Sequence, residues 1–150
     1  YDDDVLTVLR ASGIVYSRTV EATRNFSLPK DFLRWHPTAH QSHGILELAD
    51  QFLGRNHPLD LFYLWGHSFE FDRESAPVTW NLIEEFCEKM SGNDAIWYAA
   101  NIEIYDYVMA QRSLYFSVDK DRVTNPSALS VWLLADGVPV EIPGGTTKTL

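Results

Sequence analysis

The stretch that decides the fold is Leu59-Asp60-Leu61-Phe62-Tyr63-Leu64-Trp65, followed by Gly66-His67-Ser68-Phe69-Glu70-Phe71-Asp72. An almost unbroken apolar run of this length is typical of a strand covered on both faces, as in a parallel sheet. α/β proteins place their functional sites just beyond the carboxyl ends of such strands. We therefore expect chemistry at residues 66–72, with His67 as the leading residue and Gly66 allowing a sharp turn or a close approach to a ligand.

The remainder of the chain divides into an α/β part and a β part. Apolar residues at helical spacing predict four helices, over residues 2–13, 44–54, 78–90 and 101–110. Runs rich in β-branched and aromatic residues predict strands or extended pieces, over residues 13–20, 33–36, 59–65 and 96–100. Beyond residue 112 the pattern becomes short strands and turns, and Asp136-Gly137 is a strong hairpin signal. We predict an α/β domain over residues 1–112 and a small β-hairpin-rich appendage over residues 113–150.

Composition narrows the class of protein and its partners. In 150 residues, an apolar share of 45% supports a real hydrophobic core and excludes disorder. The net charge of −9 repels phosphate backbones and anionic membrane surfaces, which argues against nucleic acid and membrane as partners. The single cysteine, Cys87, is predicted to be a buried core residue. An acidic N-terminus unlike a signal peptide favours a cytoplasmic location.

Three of the five histidines lie close together in the sequence. His36 and His40 have the H-x-x-x-H spacing that places two imidazoles on one face of a helix, where they could bind a metal. Pro37 argues against a helix that starts before it. The alternative interpretation is a polar loop whose histidines lie at the rim of a pocket.

His67 could work with a carboxylate at the same edge of the sheet. Glu21 follows the predicted strand at residues 16–20, and parallel strands would bring Glu21 and His67 together. A carboxylate bound to one imidazole nitrogen fixes the tautomer, which suits a general acid. The alternatives are that Glu21 is an exposed loop residue and that His67 only caps its strand. Glu70 and Asp72 could also form a glycosidase carboxylate pair.

Aromatic side chains near these positions could stack on sugar rings or simply belong to the core. They are Trp35, Trp65, Phe69 and Trp80. The first three, together with His40, are the predicted substrate-binding residues.

Several segments, taken in order, resemble a bacterial branch of the NodB-type polysaccharide deacetylase family. They are Gly13-Ile14-Val15-Tyr16-Ser17-Arg18-Thr19-Val20-Glu21, Trp35-His36-Pro37-Thr38-Ala39-His40, Phe62 to Asp72, Ile96 to Tyr107, and Asn125-Pro126-Ser127-Ala128. The resemblance implies a distorted (β/α) barrel of which this chain is the second half. It also implies a zinc-like divalent metal and removal of N-linked acetyl or similar acyl groups from a carbohydrate. In that reading His67 protonates the departing amine and Glu21 orients His67.

The chain departs from the family pattern in ways that bear on activity. No Thr-Phe-Asp-Asp-Gly motif is present, so the base and one metal ligand of the family are missing, and Trp65 and Glu21 replace the usual leucine and aspartate. His36 and His40 lie after the Glu21 segment, where the family's metal histidines do not lie. We therefore expect the chain alone to be inactive, and its partner to be a missing N-terminal half or a second copy. The alternative is a catalytically inactive carbohydrate-binding or structural remnant.

Overall fold

A computed structural model describes residues 1–73 and 78–150, which form two compact units, Tyr1–Ile96 and Trp97–Leu150. The boundary falls after Ile96, whereas the sequence pattern placed it after residue 112. The fourth helix therefore belongs to the second unit, because it packs on the hairpin that follows it.

In its described residues, the first unit has three α-helices and two short strands. In chain order they are α1 (Asp3–Ala11), β1 (Ala39–His40), α2 (Ile45–Leu53), β2 (Leu64–Trp65) and α3 (Trp80–Met90). The three helices confirm the sequence prediction. Asp2 caps α1 by accepting a hydrogen bond from the Val5 amide at 3.0 Å, and Thr79 caps α3 through the Leu82 amide at 3.2 Å.

The strands of this unit are much shorter than the apolar runs suggested. β1 and β2 pair in parallel, with Ala39 opposite Leu64 and His40 opposite Trp65. The positive φ of 64° at Leu59 is incompatible with a strand there. The Leu61 amide donates instead to the Phe26 carbonyl at 2.7 Å, and the Tyr63 carbonyl accepts from the amides of Thr38 and Ala39. Residues 61–65 are only partly buried, so this apolar run forms neither an extended ladder nor a strand covered on both faces.

The other predicted strands are also reduced. Residues 13–20 contribute a single parallel bridge, between Arg18 and Trp35, and residues 33–36 overlap a 3₁₀ turn at Phe32–Arg34. Residues 96–100 form no strand. Among the described residues the sheets are small and do not close into a barrel, so the partial barrel remains a prediction.

The core of the first unit lies between α2, α3 and the segments that carry β1 and β2. One cluster of its buried residues consists of Phe26, Ala39, Ile45, Leu48, Ala49, Phe86 and Met90. Cys87 is exposed, so its predicted burial is wrong. The reason is the helix period: α3 buries Phe86 and Met90, four residues apart, and the side chain at 87 points about 100° away from that face.

The second unit consists of one helix and five strands. These are α4 (Asn101–Arg112), β3 (Tyr115–Phe116), β4 (Arg122–Asn125), β5 (Val131–Ala135), β6 (Val138–Ile142) and β7 (Thr146–Thr149). Strands β3, β4 and β7 form one antiparallel sheet, and β5 pairs with β6 in a hairpin. Asp136 and Gly137 both have positive φ, 51° and 81°, as a type I′ turn requires, which confirms the predicted hairpin. No described helix is long and apolar enough to cross a membrane.

Candidate metal centre

Two parallel strands bring polar residues to one edge of the first unit. His40 ends β1 and Trp65 ends β2, and the two residues lie opposite each other in register. The Gln41 amide continues the ladder by donating to the Trp65 carbonyl at 2.9 Å. His67 lies two residues after Trp65. The 3₁₀ turn at Ser68–Glu70 then brings the Glu70 side chain into contact with His40.

His40, His67 and Glu70 form a compact cluster at this edge. His40 Nε2 lies 3.1 Å from Glu70 Oε2, and His67 Nδ1 lies 3.5 Å from Glu70 Oε1. One ligand-type atom from each residue falls within 4.8 Å of the others. The side chains of His40 and Glu70 are 14% and 19% exposed, whereas His67 is 49% exposed. The cluster is therefore shielded on the strand side and open to solvent on the His67 side.

A second layer of hydrogen bonds holds the cluster. Gln41 is only 4% exposed, and its Nε2 donates to Glu70 Oε2 at 2.7 Å and to the His67 carbonyl at 2.9 Å. Ser42 Oγ shares a hydrogen bond of 2.9 Å with His40 Nδ1, and the Ser42 amide donates to the same nitrogen at 3.3 Å, so Nε2 is the ring nitrogen directed at Glu70. Such outer partners orient metal-binding side chains.

The position of the Gln41 side chain requires glycine at residue 66. A Cβ added at residue 66 would lie 2.1 Å from Cδ and Oε1 of Gln41, well inside van der Waals contact. Only glycine leaves room for the Gln41 side chain to reach Glu70. The sequence predicts a sharp turn or a close approach to a ligand at Gly66, and the group that lies against Gly66 in the structure is the Gln41 side chain.

The electrostatics of the cluster favour an ionised Glu70. Partial burial of Glu70 acts to raise its pKa, but the hydrogen bond from Gln41 and the nearby His40 and His67 outweigh burial, so the net pKa is below the usual value. Glu70 therefore carries its negative charge at neutral pH, as a metal ligand must.

Aromatic and cationic side chains form the wall beside the cluster. The Trp65 ring centroid lies 4.6 Å from that of His40 and 5.6 Å from that of His67, and the Arg18 guanidinium lies 3.9 Å from the Trp65 centroid. Phe69 stacks on His67 at 5.1 Å, and the Arg73 guanidinium lies 4.8 Å from the Phe69 centroid. Phe69 is half-exposed and Trp65 is partly buried, so both can contribute to a substrate surface.

The structure assigns a different carboxylate to His67 from the one inferred from the sequence. Glu21 Oε2 lies 3.6 Å from Nδ1 of His36, and the carboxylate in contact with His67 is that of Glu70. The physical reason is that residues 13–20 do not form a long strand parallel to β2, so the end of that segment follows Trp35 and His36.

The structure also contradicts the predicted pairing of His36 with His40 and the predicted substrate-binding role of Trp35. His36 and His40 do not share a helix face, because residues 36–40 are not helical; His40 joins His67 and Glu70, while His36 joins Thr19 and Glu21. Trp35 is 1% exposed and packs against Tyr63 and Phe32 with centroids 4.8 and 5.0 Å away. It is a core residue and cannot stack on a substrate.

Asp72 and Trp80 do not belong to the cluster. Asp72 Oδ1 accepts a hydrogen bond from Trp80 Nε1 at 2.9 Å, whereas the Glu70 carboxylate contacts His40 and His67. The paired-carboxylate alternative therefore has no support from these contacts. The roles of Gln41 and Ser42 were not foreseen, and the His67-x-x-Glu70 spacing was the signal that could have pointed to Glu70.

The donor set is one that zinc-like divalent ions bind. Two imidazoles and one carboxylate, with a fourth position open, form a common catalytic zinc site. The 3.1 Å separation joins His40 to Oε2 of Glu70 and the 3.5 Å separation joins His67 to Oε1, so each imidazole faces a different oxygen of the same carboxylate. One ligand atom from each of the three residues lies within 4.8 Å of the others.

Comparison of the chain with protein-family models, curated proteins and solved structures finds no match. The likeness to polysaccharide deacetylases thus rests on the sequence motifs alone.

Proposed function

We propose that the first unit is a divalent-metal-dependent hydrolase that removes acyl groups, with an N-acetylated carbohydrate as the substrate implied by the family resemblance. The observation that carries the proposal is the His40, His67 and Glu70 cluster, whose ligand atoms lie within 4.8 Å of one another beside the carboxyl end of β2. The proposal differs from the sequence-based expectation in three respects: His40, His67 and Glu70 of this chain are the metal ligands, Glu21 has no role, and the chain alone is expected to be active.

Each residue of the cluster would have a separate role in binding the ion. His40 and Glu70, both largely shielded from solvent, would hold the ion from the strand side, and His67 from the open side. Gln41 would keep the Glu70 carboxylate in place. A bound divalent ion supplies Lewis-acid polarisation of a carbonyl and an activated water. Trp65 and Phe69 would offer apolar surface to a sugar ring beside the ion.

The resemblance implies another role for His67, that of the acid that protonates the departing amine. The two roles are separable by the His67→Gln variant. If His67 is a ligand, this variant loses zinc affinity and acetate release together. If His67 is only an acid, the variant keeps zinc affinity and loses acetate release.

The test begins with metal binding by the full chain. We expect one Zn²⁺ or Co²⁺ ion per chain in a calorimetric titration, with affinity reduced about 10–100-fold in Gln41→Ala, which removes an outer partner of the site. Glu70→Gln should lose the ion altogether. His57→Gln is the matched control, because His57 pairs with Asp60 and lies outside the cluster. No binding by the wild-type chain, or equal loss in the His57 variant, would refute the metal site.

Acetate release from an N-acetylglucosamine oligomer tests the activity itself. We expect release that depends on added zinc and disappears in Glu70→Gln. A chain that binds zinc but releases no acetate would favour the second candidate, a carbohydrate-binding or structural remnant.

A further inference from the structure

A separate cavity of about 370 Å³ lies in the first unit, lined by residues between Thr23 and His36. This volume is within the range of about 300–1,000 Å³ that small-molecule sites occupy. Its polar lining side chains include Asn25, Ser27, Lys30, Arg34 and His36. None of them belongs to the His40, His67 and Glu70 cluster, so the cavity is a feature that the proposed hydrolase does not use.

His36 is held in a defined orientation at this cavity. Its Nδ1 shares a hydrogen bond of 2.7 Å with Oγ1 of Thr19, a residue that is 6% exposed, and lies 3.6 Å from Glu21 Oε2. Its Nε2 makes no hydrogen bond to any part of the chain that the structure describes. An imidazole fixed through one nitrogen and open at the other is arranged as a ligand-binding or acid–base group needs to be.

The lining of the cavity is rich in hydrogen-bond donors. The carboxylate of Asp31, which also lines it, is paired with Arg10 at 3.3 Å. Arg34 makes an ion pair with Asp3 through one terminal nitrogen, and the guanidinium carries five N–H donors in all. The Lys30 ammonium and the amide group of Asn25 add further donors. Charged N–H donors in the lining of a cavity favour ligands with negatively charged oxygens.

We propose that this cavity binds a small molecule with an anionic oxygen head group, of the size of a monosaccharide phosphate or sugar acid. Lys30 and Arg34 contact the head group, and His36 contacts the polar body of the ligand. The site is independent of the metal cluster, so it could bind its ligand whether or not the hydrolase proposal holds.

Amide chemical shifts of the full chain provide the test, because they report on the two sites separately. Titration with glucose 6-phosphate should give saturable shifts at the amides of Asn25, Lys30 and His36, and inorganic phosphate should give the same pattern more weakly. Neutral glucose should give none. Zinc titration should shift the amides around His40 and His67, so failure of either proposal is visible without the other.

Three variants sharpen the result. Lys30→Gln should weaken glucose 6-phosphate binding about fivefold, the effect of losing one charge contact worth about 1 kcal/mol. Lys120→Gln, with the same charge change in the other unit, should have no effect. Leu28→Trp, which fills the cavity and keeps every charge, should abolish binding while the shifts elsewhere show an intact fold.

Two results would overturn the proposal. One is the lack of saturable shifts at about 10 mM glucose 6-phosphate, a concentration that would fill most of a site with a Kd of about 1 mM. The other is an equal loss of affinity in the Lys30 and Lys120 variants, which would indicate attraction by overall charge only.

Discussion

Gly66→Ala should damage the candidate metal centre without touching any of its ligands. The new Cβ would lie 2.1 Å from Cδ and Oε1 of Gln41 and 2.6 Å from its Cγ. The Gln41 side chain must then leave its position, and both of its hydrogen bonds, to Glu70 and to the His67 carbonyl, would break.

The expected loss follows from those two bonds. A hydrogen bond to a charged group contributes about 1.5–3 kcal/mol and a neutral one about 0.5–1.5 kcal/mol, so Gly66→Ala should lower the free energy of unfolding by roughly 2–4 kcal/mol. The substitution also restricts the unfolded chain, which stabilises the fold by about 0.4–1 kcal/mol and offsets part of the loss.

A double-mutant cycle isolates the clash. Urea unfolding followed by tryptophan fluorescence should be measured for wild type, Gly66→Ala, Gln41→Ala and the double variant, with hydrogen exchange at the Gln41 amide as a local reporter. Gly66→Ala should cost less than about 1 kcal/mol in the Gln41→Ala background, because the entropic contribution of alanine is the same in both backgrounds and only the clash disappears. Strictly additive effects of the two substitutions would show that Gly66 does not act through Gln41.

Four further predictions concern stability. Thr79→Ala should lower the free energy of unfolding by about 1 kcal/mol, measured by urea denaturation, because α3 loses its cap; Thr79→Ser should retain it. Gly137→Ala should cost about 1–2 kcal/mol in urea denaturation because of the φ of 81° at the hairpin turn, since an added Cβ meets no other atom within 4 Å and the backbone angle is the only source of strain; an unchanged stability would contradict this. Trp35→Ala should cost about 3–5 kcal/mol by removing a fully buried ring, and full activity loss with unchanged stability would contradict its core assignment. The pKa of Glu70 is below its usual 4.5 in the folded chain, so the stability that ionised Glu70 contributes is complete above about pH 4.5 and is lost as pH falls through the lower folded pKa. The difference in free energy of unfolding between wild type and Glu70→Gln in metal-free buffer should therefore shrink over that pH range. A difference that stays constant with pH would refute the lowered pKa.

The helices and the hairpin could be read from local patterns. α1, α2 and α3 have caps or glycines at their ends and apolar residues at helical spacing, and Asp136-Gly137 has the residues that a type I′ turn demands. Each of these features depends on residues within a few positions of one another, so no knowledge of distant contacts is needed.

The strands could not be read in the same way. The run from Leu59 to Trp65 is apolar except for Asp60, yet only Leu64 and Trp65 pair with β1, next to a hydrogen bond from the Ala39 amide to the Tyr63 carbonyl. A strand requires a partner with free backbone groups, and the availability of that partner is a property of the whole fold. The same limit explains why the boundary between the units could not be located from composition.

The sequence by itself determined the helices and the hairpin, because these follow from short-range periodicity and turn chemistry. Only the tertiary structure decided which carboxylate meets which histidine: the register that sets His40 beside Trp65 brings Glu70 to His40 and His67, while Glu21 meets His36. Residues 40 and 67 are separated along the chain by a helix and a loop, so their contact depends on how that connection folds back, which no local pattern encodes.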